Sequence, residues 1–337
     1  MKEAMFYTEL EDRRVHCFLC SQHCRIGPEE VGKCGVRQNR DGKLWSLVYG
    51  QVIAENIDPI EKKPLFHFHP GSRSYSIATM GCNLTCLFCQ NSDISQVSQG
   101  RGGIIGRSVP AEEIAGRAFK AGCGSISYTY TEPTVFMEFA LDVSRCARER
   151  GLANVFVSNG YMTREALDAI SPELDAANID LKSFDDKFYR EMCGARLKPV
   201  LATLEGMKEK GIWLEVTTLL VTDRNDSEKE LREIAKFLAG LGAEIPWHVS
   251  RFYPTYRLTD RGPTPIEKLQ RAREIGMEAG LRYVYMGNVP GDSGENTYCN
   301  SCGTLLIKRV GYSLKKVNLD RDACTQCGAV LEGIGIR

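Results

Sequence analysis

The sequence has no excess of either charge: 43 Lys and Arg stand against 43 Asp and Glu in 337 residues. A protein that grips nucleic acid through its phosphates usually carries a basic surplus, so none is indicated as a partner. A local basic patch can still serve an anionic substrate. No stretch approaches the ~20 apolar residues that a membrane-spanning helix needs, so no membrane partner is indicated either. The N-terminus mixes acids and bases and lacks an apolar h-region, so it does not read as a secretory signal. Low-complexity tracts are missing, and so is any repeat beyond a βα unit. What remains is a globular balance, 43% apolar and 26% charged, too apolar for a disordered chain. The length allows one large or two modest domains with an ample core.

Cysteine breaks this ordinary pattern, with 14 residues. A chain of this length without a signal is expected in the reducing cytoplasm, where clustered cysteines bind metal more often than they pair. Three groups stand out: Cys17, Cys20, Cys24 and Cys34; Cys82, Cys86 and Cys89; and Cys299, Cys302, Cys324 and Cys327. Cys123, Cys146 and Cys193 stand alone and read as small buried hydrophobes.

The pattern along the chain predicts four regions. Residues 1–50 form a Cys-rich metal-binding segment without sustained periodicity. Residues 51–73 form a linker, whose three prolines over 55–72 predict an extended loop rather than a helix or strand. From 74 to 290, strand-length apolar runs alternate with helical periods. Strands are expected near 75–80, 125–130, 153–158, 175–181, 213–220, 247–253 and 282–287. Helices are expected near 110–121, 134–150, 163–170, 185–209, 227–240 and 265–279. Phe136, Phe139, Ala140 and Val143 share a helix face that Gly151 ends. Ser227 with Glu230, and Thr264 with Glu267, read as capping boxes, with Pro265 opening the second helix. Repeated βα units imply a parallel α/β sheet. Seven strands suggest an open or partial barrel, with a closed eight-stranded barrel as the alternative. Residues 291–337 read as an appended four-Cys knuckle.

The central cysteines form a C-x3-C-x2-C run just after the first predicted strand. That is the sheet edge at which parallel α/β proteins build sites. Three thiolates fall short of the four ligands of structural zinc, unless His67 or His69 adds one. They suit three irons of a [4Fe–4S] cluster, leaving one iron open to an amine and a carboxylate. This run, with Phe88 before the last Cys, resembles the signature of the radical S-adenosylmethionine (SAM) superfamily. The resemblance implies a partial (βα)6-type barrel over about 74–290 and SAM on the open iron.

The resemblance extends to other strand ends. Tyr130-Thr131-Glu132-Pro133 is similar to the family's Gly-Gly-Glu-Pro stretch, with both glycines replaced; it implies that Glu132 meets the SAM amino group. Glu132 also reads as an acid at a helix start. Ser158-Asn159-Gly160 and Asp180-Leu181-Lys182 resemble stretches of glycyl-radical activating enzymes, which implies SAM contacts from Ser158, Asn159, Asp180 and Lys182. A structural ion pair is the plainer reading of the last two. Glu215 and Thr217 alternate with apolar residues and are expected to face the barrel interior. Glu215 stands where the family has a SAM-binding arginine. His248 and Arg251 are candidates for that role, although residues three apart on a strand face opposite ways unless a bulge intervenes. Asn288 is a candidate adenine contact. No residue is assigned as catalytic.

The two C-x2-C pairs near the C-terminus, 21 residues apart and each followed by glycine, predict a tetrahedral S4 site. Zinc is expected there, with rubredoxin-like iron as the alternative. The four N-terminal cysteines fit zinc or an auxiliary [4Fe–4S] cluster, with His16 and His23 nearby. Zinc is the expectation because the segment is short and has little apparent core. Taken together, HCFLCSQHC, DPIEKKPLFHFHPGS, TMGCNLTCLFCQN, DLKSF, WLEVTTLL and NTYCNSCGTLLI resemble AmmeMemoRadiSam system radical SAM enzymes. The resemblance implies an oxygen-sensitive enzyme that cleaves SAM to a 5′-deoxyadenosyl radical and takes hydrogen from an unidentified substrate. It also implies an electron donor such as ferredoxin or flavodoxin, and Memo-like and AMMECR-like partners. The alternatives are an activase acting on a partner protein's glycine and a non-catalytic metal-binding interaction module.

Overall fold

The computed structural model describes residues 1–96 and 103–336. Its centre is an eight-stranded sheet of β1 (Ala54–Pro59), β2 (Arg73–Ala78), β3 (Ser125–Tyr128), β4 (Ala153–Ser158), β5 (Ala176–Asp180), β6 (Trp213–Leu220), β7 (Trp247–Arg251) and β8 (Val284–Gly287). Neighbours in the sheet are neighbours in the chain, in the order β8-β7-β6-β5-β4-β3-β2-β1. β2 to β8 are parallel, and β1 pairs antiparallel with β2. Among the described residues the hydrogen-bonding order does not close on itself, so the sheet is open rather than a closed barrel. Among the described residues, six helices of 7 residues or more alternate with its strands: α1 (Ala111–Lys120), α2 (Met137–Arg148), α3 (Arg164–Ile170), α4 (Leu197–Glu209), α5 (Glu228–Leu241) and α6 (Ile266–Glu278).

The α2 segment buries Phe136, Phe139, Ala140 and Val143 as its periodicity requires. After it the chain turns through Gly151 at φ 70°. Three sequence expectations need correction. The helix expected over 185–209 is interrupted: a short helical stretch ends at Gly194, which adopts φ 65°, and α4 starts anew at Leu197. Ser227 caps α5, but Glu230 does not reach back; its carboxylate accepts from Ser183 Oγ and from Phe184 N at 3.0 Å. Thr264 does not cap α6, because its hydroxyl accepts from Phe252 N (3.0 Å) and donates to the Leu220 carbonyl; Pro265 precedes the helix.

The segment expected to be a linker belongs to the core instead. Its first part is strand β1. Its second part tucks Leu65, Phe66, His67 and Phe68, all nearly or fully buried, against the sheet. A buried loop must satisfy its own peptide groups, and polar side chains do so here. Asn178 on β5 donates to the Pro64 carbonyl at 2.8 Å. Glu215 on β6 accepts from Phe66 N at 3.0 Å and His67 N at 2.8 Å. Arg309 donates to the Phe66 carbonyl at 2.9 Å.

The N-terminal segment also has more structure than its sequence suggests. Two three-stranded antiparallel sheets fold it, and Val15, Leu19, Ile26, Val36, Leu44 and Val48 are buried in continuity with the main core. The C-terminal segment forms a three-stranded sheet over Thr297–Tyr298, Leu305–Val310 and Ser313–Val317. Its core includes Tyr283 and Tyr285 of the last βα unit, together with Phe66.

Candidate active site

At the end of the sheet where β2, β3, β4, β5 and β8 finish, their loops surround a cavity of about 910 Å³. Cys82, Cys86 and Cys89 all line it, on the loop that follows β2. The loop is pinned by backbone bonds from Thr85 N to the Cys193 carbonyl and from Leu87 N to the Met192 carbonyl, each 2.9 Å. Asn159, after β4, donates to Asn83 Oδ1 at 2.8 Å and lies 3.6 Å from Cys82 Sγ. Ser95 Oγ lies 3.1 Å from Cys89 Sγ. Burial pushes the Cys82 and Cys89 thiols up. The neighbouring Cys193 thiol holds Cys86 below its ordinary value despite burial, and the Lys182 charge adds to this. Cys193, read as a plain hydrophobe from sequence, is therefore a neighbour of the site; its isolated position gave no signal.

Phe88, Tyr130, Glu132, Ser158, Asn159, Asp180 and Lys182 also line the cavity, as do Thr217, His248 and Asn288. Glu132 is 1% exposed. Its carboxylate accepts from Thr134 N (3.0 Å), Thr134 Oγ1 (2.6 Å), Ser158 Oγ (2.8 Å) and Asn159 N (2.8 Å). The side chain thus ties the end of β3 to the end of β4, and it caps the helical turn that opens at Pro133, as the helix-start reading expects. Burial raises its pKa, opposed by these donors. Lys182 bonds Asp180 at 2.7 Å and lies 6.0 Å above the Phe88 ring. Thr217 donates to Asn178 at 2.8 Å.

Tyr130 replaces a glycine of the related motif and still adopts φ 63°. A bulky residue pays for that geometry elsewhere. Here its hydroxyl bonds Asp58, Asn91 donates to its carbonyl at 2.7 Å, and Lys63 Nζ sits 4.6 Å from its ring centre. Lys62 and Lys63 line the cavity as well, and sequence reading missed both. Burial lowers Lys63 to about 8, against its ion pair with Asp58. The paired lysines were visible in the sequence, but an assumed linker concealed their place.

Two candidates do not reach the cavity wall. Glu215 is fully buried beneath it, and its four acceptor sites are taken: His67 N and Trp213 Nε1 (3.2 Å) on one oxygen, Phe66 N and His248 Nε2 (2.7 Å) on the other. It latches the tucked segment. Arg251 stays outside because the β6–β7 register runs without a bulge to its end; it donates to the Thr264 carbonyl at 2.7 Å and stacks on Tyr253. His67 does not supply a fourth ligand to the cysteines. Its ring nitrogens lie 2.6 Å from the Glu332 carbonyl and 2.6 Å from the Tyr285 hydroxyl.

The outer cysteine groups differ from each other. The sulfurs of Cys299, Cys302, Cys324 and Cys327 all lie within 4.8 Å of one another, with contacts of 3.6 and 3.7 Å. A tetrahedral ion with ~2.3 Å bonds to sulfur requires edges of about 3.8 Å. Gly303 and Gly328 both take φ 74°, and their N–H groups close each knuckle on the Cys299 and Cys324 carbonyls. Cys17, Cys20, Cys24 and Cys34 line a separate small void.

The fold and site define an α/β protein with a largely parallel sheet that carries three cysteines and a buried carboxylate around one end. Comparison with known proteins narrows this. Residues 76–238 match the radical SAM superfamily. An uncharacterized protein of Methanocaldococcus jannaschii is 49% identical over 335 residues, covering 98% of this chain and 99% of that one. The pyruvate formate-lyase-activating enzyme of Clostridium pasteurianum is 22% identical over 178 residues, 51% of this chain and 71% of the enzyme. Among solved structures, Streptococcus suis SuiB bound to S-adenosylmethionine shares the fold with a TM-score of 0.50 and 17% identity. The match covers 66% of this chain and 52% of SuiB, so the chain spans about half its length. The chain carries a radical SAM superfamily domain over residues 76–238 and is homologous to pyruvate formate-lyase activating enzymes. Among the described residues, no helix is long and apolar enough to cross a membrane.

Proposed function

We propose that this chain is an oxygen-sensitive radical SAM enzyme. The observation that carries the reading is the set of three cysteines on one cavity wall, beside a roomy space edged by Glu132, Asn159, Asp180 and Lys182. Three thiols suit three irons of a [4Fe–4S] cluster. When bound, the cluster and SAM supply a 5′-deoxyadenosyl radical by one-electron reductive cleavage.

The chain's own residues do the rest. The Glu132 carboxylate fixes the Asn159 turn, and Asn159 braces the Cys82 loop through Asn83. Asp180 and Lys182 offer one acceptor and one donor toward the amino and carboxylate groups of SAM, a task that Glu215 and Arg251 do not perform. Asn288, Thr217 and Tyr130 bound the remaining volume. The C-terminal segment edges the cavity with Tyr312. Zinc in the C-terminal S4 site keeps that edge folded.

A second reading, favoured by the homology to an activating enzyme, makes the substrate a glycine in a partner protein. Ferredoxin or flavodoxin is the proposed reductant. The family resemblance to AmmeMemoRadiSam enzymes proposes Memo-like and AMMECR-like partners.

The test is anaerobic reconstitution, reduction with dithionite, addition of SAM and chromatography for 5′-deoxyadenosine. Product is expected. Full cluster occupancy without product would overturn the enzyme reading. A glycyl EPR signal on an added partner would select the activase.

A further inference from the structure

We infer that Cys17, Cys20, Cys24 and Cys34 hold a second [4Fe–4S] cluster rather than zinc. All four cysteines border one void, so they form a single site. Their spacing identifies its occupant. Among the described residues, the C-terminal four are the set whose sulfurs close to within 4.8 Å, the spacing of ligands on a single ion. No three of the N-terminal sulfurs do so, and neither do those of Cys82, Cys86 and Cys89. Thiolates on a [4Fe–4S] cluster bind different irons at separate corners, and so stand farther apart than thiolates sharing one ion. The N-terminal set therefore lacks the closed spacing of the S4 site, as the cavity cysteines do.

Arg37 gives a second, independent sign of an anionic occupant. It lines the same void and is 1% exposed. Its terminal nitrogens are engaged: Nη2 bonds the Met5 carbonyl (2.6 Å) and Glu138 (2.7 Å), and Nη1 bonds Glu138 (3.3 Å). Its Nε–H is buried with no partner. Leaving a buried donor unmade is costly, so the arrangement calls for an acceptor that the protein itself does not supply. Cluster sulfide is such an acceptor, and a zinc ion brings none. Lys33 N, 3.5 Å from Cys24 Sγ, adds another donor.

The core buried around this segment removes the reason for a structural zinc, because the two small sheets are already packed into the main core. The site also abuts the cavity loop. Gln22, between Cys20 and Cys24, donates to the Asn83 carbonyl at 2.8 Å and to the Gly194 carbonyl at 3.0 Å. Ser21 N donates to the Tyr161 carbonyl at 3.1 Å.

The test replaces Cys82, Cys86 and Cys89 together by Ala, which empties the cavity site and leaves the N-terminal four. After anaerobic reconstitution, iron, sulfide and zinc are counted. About four irons and about four sulfides per chain, with one zinc, are expected. No iron with about two zincs, or iron without sulfide, would overturn the inference. If that variant does not fold, iron analysis of the wild-type chain, with Mössbauer spectroscopy to show that the iron is in [4Fe–4S] form, decides between about eight cluster irons and about four. These readouts are independent of SAM cleavage, so the proposed enzyme and the second cluster stand or fall separately.

Discussion

Glu215→Gln separates two roles for a residue that the sequence places in the cofactor site. The carboxylate accepts four hydrogen bonds, two on each oxygen, and is fully buried. Burial raises its pKa, but the His248 hydrogen bond and the Phe66 N–H outweigh this and bring it below the ordinary value. A glutamine must turn its NH2 toward one donor pair. Toward His67 N and Trp213 Nε1 it would orphan both. Toward Phe66 N and His248 it orphans only one, because the His248 ring can switch tautomer and accept. The orphaned Phe66 N–H costs about 1–3 kcal/mol, and the surviving bonds lose their charge assistance. Relief from burying a charge offsets part of this. A net loss of about 3 kcal/mol is expected, which lowers the urea midpoint by about 1 M if the slope is about 3 kcal/mol per M. The assay is anaerobic urea unfolding of the reconstituted protein, alongside calorimetric titration with SAM. SAM affinity is expected to stay within about two-fold, since the carboxylate has no acceptor site left for a ligand. An unchanged midpoint with a tenfold weaker SAM affinity would refute the reasoning.

Other substitutions test the remaining sites. Cys86→Ala should abolish cluster loading in the cavity, about four irons by metal analysis, while the C-terminal metal stays. Retention of normal iron and activity would remove the cavity cysteines from the chemistry. Cys302→Ala should release the C-terminal metal and lower the melting temperature with the cavity iron retained; there the Thr304 hydroxyl brings the Cys302 thiol down to about 6, ready to ligate. His67 supplies a pH test. Burial lowers its pKa from 6.5 to about 4. The unfolded chain therefore binds this proton first, and stability falls as pH drops from about 6.5 to about 4, by at most about 3 kcal/mol. Above about 6.5 the residue contributes no slope. His67→Gln should remove that part of the acid dependence of the urea midpoint; an unchanged profile would show that His67 already ionises in the fold.

Much of the site was legible because its determinants are local. A C-x3-C-x2-C run carries its own ligand geometry, and an apolar run or a 3.6-residue period fixes strand or helix before any partner is known. The seven parallel strands and the C-terminal knuckles follow from such signals, whereas Glu132, Asn159, Asp180 and Lys182, which line the cavity, were singled out by family resemblance. Tertiary packing decided what sequence spacing does not encode. The segment around Phe66 looks like a linker because its prolines forbid regular structure, yet Asn178, Glu215 and Arg309, far away in sequence, satisfy its peptide groups and draw it into the core. That packing turns Glu215 from a cofactor candidate into a latch and sets Lys63 against the cavity. The same limit governs the metals: ligand count is written in the chain, but the separation of the sulfurs, which distinguishes one ion from a cluster, depends on how the surrounding elements are held apart.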